Sequence, residues 1–148
     1  MSSLTKSVFL PLAPAASFAL FTEHAGEWWP EDRRHTKDPQ STIAILATGR
    51  FFERSRAGVE VELGRVRVWE PPHRLVLDFY VASGPDAPTD VTITFAAEAD
   101  GTRVTVEHRP TAASEKIWTE RARRYAASWD RVLESLLRAG NESVTTPE

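Results

Sequence analysis

The chain has 148 residues, 18 basic and 21 acidic, for a net charge of -3, and it contains no cysteine. This length suits one domain with a substantial core. The charge argues against a general nucleic-acid surface, and the missing cysteines exclude disulfides, thiolate metal sites and cysteine nucleophiles. No apolar run approaches the roughly 18 residues of a membrane span.

The stretch from Leu4 to Leu12 alternates loosely around Val8 and Leu10 and reads as a strand near a sheet edge, with Pro11 at its end. Ala13-Pro14-Ala15 imitates a signal-peptidase site. A single Lys precedes the apolar run, however, and two prolines lie inside it, so a strand leading into a helix is the expectation. Pro14 suits the first turn of a helix over about Ala15 to Phe21, and a short helical turn is expected near Glu27 to Trp29, stopped by Pro30. Residues 30–40 are polar and aperiodic and read as a loop.

The period then changes from 3.6 to 2. Strands are expected over Thr42–Thr48 and Arg50–Ser55, and then from Val59, with the inward parity flipping at Gly64 as in a bulge. Pro71-Pro72 makes a turn. Leu75, Leu77, Phe79 and Val81 share one face of the next strand, and residues 82–89 form a loop. Val91, Ile93 and Phe95 make another inward row, Asp100-Gly101 is a type I′ hairpin signal, and Val104, Val106 and His108 complete the sheet.

From Ser114 to Gly140 the apolar stripe Trp118, Ala122, Tyr125, Trp129, Val132, Leu133 and Leu136 has helical spacing. Ser114 is placed to cap this helix and Gly140 to end it, so residues 141–148 read as a disordered tail beyond a single domain over 1–140. Glu120 with Arg124, and Glu134 with Arg138, are spaced for ion pairs on the polar face. A one-sided antiparallel sheet and a long helix with a matching stripe cover each other. The expected fold class is therefore α+β: a curved sheet of about seven strands around the C-terminal helix, with two short helices after the first strand.

FALFTEHAGEWWP (18–30), the 49–79 block containing VWEPPHRL, TDVTITF through DGTRVTVEHR (89–109) and YAASWDRVLESL (125–136) cover nearly the whole chain in order. On these stretches it resembles the START-like, polyketide-cyclase-like superfamily of helix-grip domains. Within it, the chain is most similar to the bacterial family named after the activator of heat-shock-protein-90 ATPase. Ser128 stands where similar proteins often carry Gly, and Pro110-Thr111 where they often carry Gly-Trp. The resemblance implies the helix-grip fold. The superfamily includes lipid carriers, cyclases, hormone receptors and co-chaperones, so function must come from the site.

The candidate cavity residues are Trp28, Trp29, Phe51, Phe79, Phe95, His108, Trp118, Arg121, Tyr125 and Trp129. Each has a plainer role to set beside it. The aromatics serve equally as core, His108 as a hydrogen-bonded interior histidine, and Arg121 as a stripe-edge residue laying its stem on apolar surface. The four histidines lack metal-ligand spacing, and no phosphate loop or nucleophile elbow is present, so neither a metal nor a cofactor is expected. Glu60, Glu62 and Asp78 fall on outward parity.

The leading functional expectation is a cytoplasmic module that binds a small hydrophobic, aromatic or lipid-like molecule between helix and sheet. A co-chaperone contacting a heat-shock ATPase and a cyclase- or hydrolase-type enzyme using His108, Tyr125 and Arg121 are the alternatives; the oligomeric state is left open. Residues 4–12 are expected to remain in the mature protein. Intact mass from cells checks this, and a chain beginning near Ala16 contradicts it.

Overall fold

A computed structural model describes residues 3–145, with side chains through 143. The elements are β1 (Leu4–Leu10), α1 (Pro14–Thr22), α2 (Ala25–Trp28), β2 (Thr42–Ile45), β3 (Arg50–Arg54), β4 (Glu60–Glu70), β5 (Arg74–Phe79), β6 (Thr89–Glu98), β7 (Gly101–Pro110) and α3 (Glu115–Thr145). A 3-10 turn at Glu31–Arg33 interrupts the segment expected to be a plain loop. The seven strands form one sheet in the order β1-β7-β6-β5-β4-β3-β2, and every neighbouring pair is antiparallel. The expected α+β helix-grip architecture is what the chain adopts.

Two glycines allow the backbones to approach closely. A Cβ on Gly64 would lie 2.2 Å from the Asp78 carbonyl oxygen, and one on Gly101 would lie 2.2 Å from that of Leu10. Register slips between Phe51 and Phe52 against β4, so the bulge expected at Gly64 is present; a second irregularity falls between Val66 and Val68. At the β6–β7 hairpin the turn pair is Ala99-Asp100, with Ala99 at φ 52°, while Gly101 already pairs with Glu98 as the first residue of β7. Gly101 is thus needed for contact with β1 rather than for turn conformation.

The helix differs from expectation at both ends. Ser114 supplies its carbonyl to the Ile117 and Trp118 N–H groups, but its hydroxyl turns back to accept the Thr111 N–H at 2.9 Å. Gly140 does not end α3. It lies inside the helix, where its missing side chain leaves room for Leu10: a Cβ there would sit 3.1 Å from Leu10 Cδ2. The stretch expected to be a disordered tail is therefore helical through Thr145, and its last part, 146–148, lies outside the described residues. The Glu134–Arg138 pair forms at 3.7 Å, whereas Glu120 pairs with its neighbour Arg121 at 3.8 Å rather than with Arg124.

Trp118, Tyr125, Trp129, Val132 and Leu136 of α3 are all buried in one cluster with Leu77, Phe79, Ile93, Phe95, Val104 and Val106 of the sheet. Trp129 stacks near Phe79, with ring centroids 5.8 Å apart. Trp129→Ala removes this side chain from a 3% exposed site and is expected to cost about 3–5 kcal/mol. Chemical denaturation checks it; an unchanged midpoint contradicts the packing described.

Candidate ligand-binding site

A cavity of about 500 Å³ lies where α3, the 29–37 segment and the end of β5 with its following loop meet. Trp29, Phe79, Val81, Tyr125, Trp129 and Val132 give it apolar walls, and Ala127 and Ser128 of α3 border it. Its rim carries Asp32, Arg33, His35, Lys37 and Arg124, so it opens toward solvent rather than being enclosed.

Four of the ten residues singled out in the sequence meet here: Trp29, Phe79, Tyr125 and Trp129. The other six do not border this cavity, each for a visible reason. Trp28 points under α1, donating its indole N–H to the Leu20 carbonyl at 2.8 Å. Phe51 sits behind the wall, between Trp29 and Phe79, with centroids 6.4 and 6.2 Å away. Phe95 packs at the other end of the sheet with Phe18 and Phe21. Trp118 is buried against His108, at 5.2 Å between ring centroids, and Tyr125. Arg121 donates from Nε to the Ala82 carbonyl at 2.9 Å and so holds the loop after β5. Tyr125 donates its hydroxyl to the neighbouring Val81 carbonyl at 2.7 Å while its ring remains in the cavity wall.

His108 lies one layer deeper and is fully buried. Trp129 donates its indole N–H to His108 Nδ1 at 3.0 Å. Because an indole nitrogen can only donate, Nδ1 is the acceptor and the proton sits on Nε2. Nε2 then donates to Thr89 Oγ1 at 2.8 Å, and that hydroxyl donates to the Phe79 carbonyl at 3.4 Å. Burial pushes the imidazole pKa down to about 3. The histidine is therefore a neutral, satisfied connector between β7, β6 and α3.

The loop wall depends on two charged residues that sequence reasoning passed over. Arg34 is 7% exposed and donates to the carbonyls of Ser41, Gly26 and Trp29 and to the Ser41 hydroxyl. Glu53 of β3 is fully buried. It accepts the His35 and Thr36 N–H groups at 2.7 and 2.9 Å and the Thr36 hydroxyl at 2.5 Å. Burial works to raise its pKa, but these bonds, with one from Ser41, outweigh it and hold the carboxyl below its usual value. The available signal was parity: Glu53 shares a strand face with Phe51. Ser128, the departure noted above, accepts the Arg33 Nε–H at 3.1 Å, tying the same loop to α3. Ala127 and Ser128 could have been found as small residues beside the aromatic stripe.

Two pH effects follow. Glu53 has a depressed pKa, so its contribution is present above the ordinary value of 4.5 and is lost as pH falls through its folded-state pKa. His108 takes a proton near 6.5 when unfolded but only near 3 when folded. Its contribution is thus intact above 6.5 and drains by about 1.4 kcal/mol per pH unit below it. Nitrogen-resolved NMR is expected to find His108 protonated on Nε2 and unchanged from pH 8 to about 4; titration near 6.5 contradicts the geometry.

Residues 14–139 match the family model described as Activator of Hsp90 ATPase homolog 1-like protein. Among curated proteins none matches the chain. Among solved structures, the chain is similar to the self-sacrificing resistance protein CalC from Micromonospora echinospora, with 27% identity over 98% of this chain and 97% of that one and a TM-score of 0.75. It is also similar in fold to the AHSA1-like protein from Aeromonas hydrophila, with 16% identity, coverages of 96% and 94%, and a TM-score of 0.64. The anthrahydroquino-gamma-pyrone synthase Txn09 shares the fold at 23% identity, coverages of 95% and 96%, and a TM-score of 0.57. With most of its length matched by that model and its sheet and helix arranged as above, the chain belongs to the family of Activator of Hsp90 ATPase homolog 1-like proteins.

Proposed function

We propose that the chain binds a small apolar or aromatic molecule in the cavity beside α3. The observation that carries this reading is the cavity's composition: about 500 Å³ walled by four aromatic residues of the core cluster, Trp29, Phe79, Tyr125 and Trp129. Small-molecule sites have this size and mixture, apolar walls with a few polar groups at their edge. The likeness to CalC, a self-sacrificing resistance protein, supports resistance as the role of that binding.

Binding is favoured over catalysis by what the three residues of the enzyme reading do. His108 is hydrogen-bonded at both ring nitrogens, and the Tyr125 hydroxyl and Arg121 Nε donate to loop carbonyls. A general base needs an accessible lone pair within reach of the substrate proton, and His108 Nδ1 is occupied by Trp129.

1-Pyrenebutanol, an uncharged aromatic probe, is expected to quench tryptophan fluorescence. At a hundredfold excess over its Kd it should raise Tm by about 5–10 °C. Ala127→Trp places a large side chain at the cavity border from an exposed helix position; it should abolish the shift while leaving the unliganded Tm nearly unchanged. Absence of binding by the wild-type chain would contradict the cavity reading and favour a surface partner.

A further inference from the structure

The charges around the cavity do not cancel. Arg33, Lys37 and Arg124 stand on its border against one rim carboxylate, Asp32. Arg34 also borders it, but its charge is opposed by buried Glu53 and its two terminal nitrogens donate to the Gly26, Trp29 and Ser41 carbonyls. Asp32 is itself engaged from outside the cavity, accepting from Arg131 at 3.1 Å. Arg33 shares Asp32 at 3.5 Å and is turned toward Ser128. Among the described residues, neither Lys37 nor Arg124 has an ion-pair partner. Glu120, one helical turn before Arg124, is paired with Arg121 instead.

The result is a local excess of positive charge at the opening of an apolar cleft, in a chain whose net charge is -3. A low-dielectric wall strengthens the field of cations at its edge and draws anions to that opening. The same geometry penalises a cationic ligand twice, by repulsion at the rim and by desolvation within.

We propose that the ligand is an anionic amphiphile, its aromatic or aliphatic body lying against Trp29, Phe79, Tyr125 and Trp129 and its carboxylate meeting Lys37 and Arg124 at the rim. This rests on the cavity reading above and adds the ligand's charge and orientation to it. The anion is held by exposed, solvated side chains, so its attraction is screened by salt while the apolar contact is not.

The test compares 1-pyrenebutyrate with 1-pyrenebutanol, two probes that share one body and differ in the terminal group. Kd is read from pyrene fluorescence at low salt and at about 0.5 M salt. The carboxylate is expected to bind about tenfold more tightly at low salt, with the advantage shrinking at high salt. The double variant Lys37→Gln/Arg124→Gln should lose most of the preference for the acid, read as the ratio of the two probes' Kd values in the same protein. Equal binding of the two probes by the wild type, or a preference that survives in the double variant, overturns this proposal and leaves the cavity reading standing. If neither probe binds, both fall together.

Discussion

One hydrogen bond, from the Trp129 indole to His108, connects the two layers of the fold. It joins α3 to β7 in the interior, and Thr89 extends the chain of donors to the backbone of β5. The bond decides which imidazole nitrogen carries the proton. Burial keeps the ring neutral, so a polar group sits inside an aromatic cluster without an uncompensated charge. With its N–H held from behind, the indole has one orientation, and the same residue borders the cavity. The interior network thus fixes part of the wall a ligand would touch.

The rest of the cavity is made by segments outside regular strands, and each is tied down by a different means. The 30–40 segment is clasped by Arg34, which gathers carbonyls from both of its ends, and by Glu53, which gathers its amides. The segment after β5 is held by Tyr125 and Arg121 of α3 at two consecutive carbonyls. Fixed walls of this kind lower the ordering cost of binding. The apolar interior beyond is occupied by core side chains, and so the space opens at the side of the helix rather than beneath it.

The architecture was legible because it depends on periodicity. Val91, Ile93 and Phe95 alternate on one strand face, Trp118 through Leu136 recur at helical spacing, and each apolar surface needed the other. The bulge at Gly64 was legible for the same reason, as a change of parity. The site was legible only in its aromatic half. Trp28 and Trp29 are adjacent and equally aromatic, and tertiary contact alone sends one to Leu20 and the other to the cavity. Arg124 and Lys37 read as solvated charges, because nothing local distinguishes a rim from open surface. Gly140 misled for a related reason: glycine ends many helices, but here it serves a close contact with Leu10 that lies far away in sequence.

The central claim is that the space bordered by Trp29 and Trp129, and no other, receives the ligand. The five tryptophans report on it separately through their indole N–H resonances: Trp29 and Trp129 border the cavity, while Trp28, Trp69 and Trp118 do not. Titrating an aromatic ligand into nitrogen-15-labelled protein should shift the Trp29 and Trp129 indole signals and leave that of Trp69 in place. A saturating shift at Trp69 with Trp29 and Trp129 unmoved would place the ligand elsewhere and contradict the account.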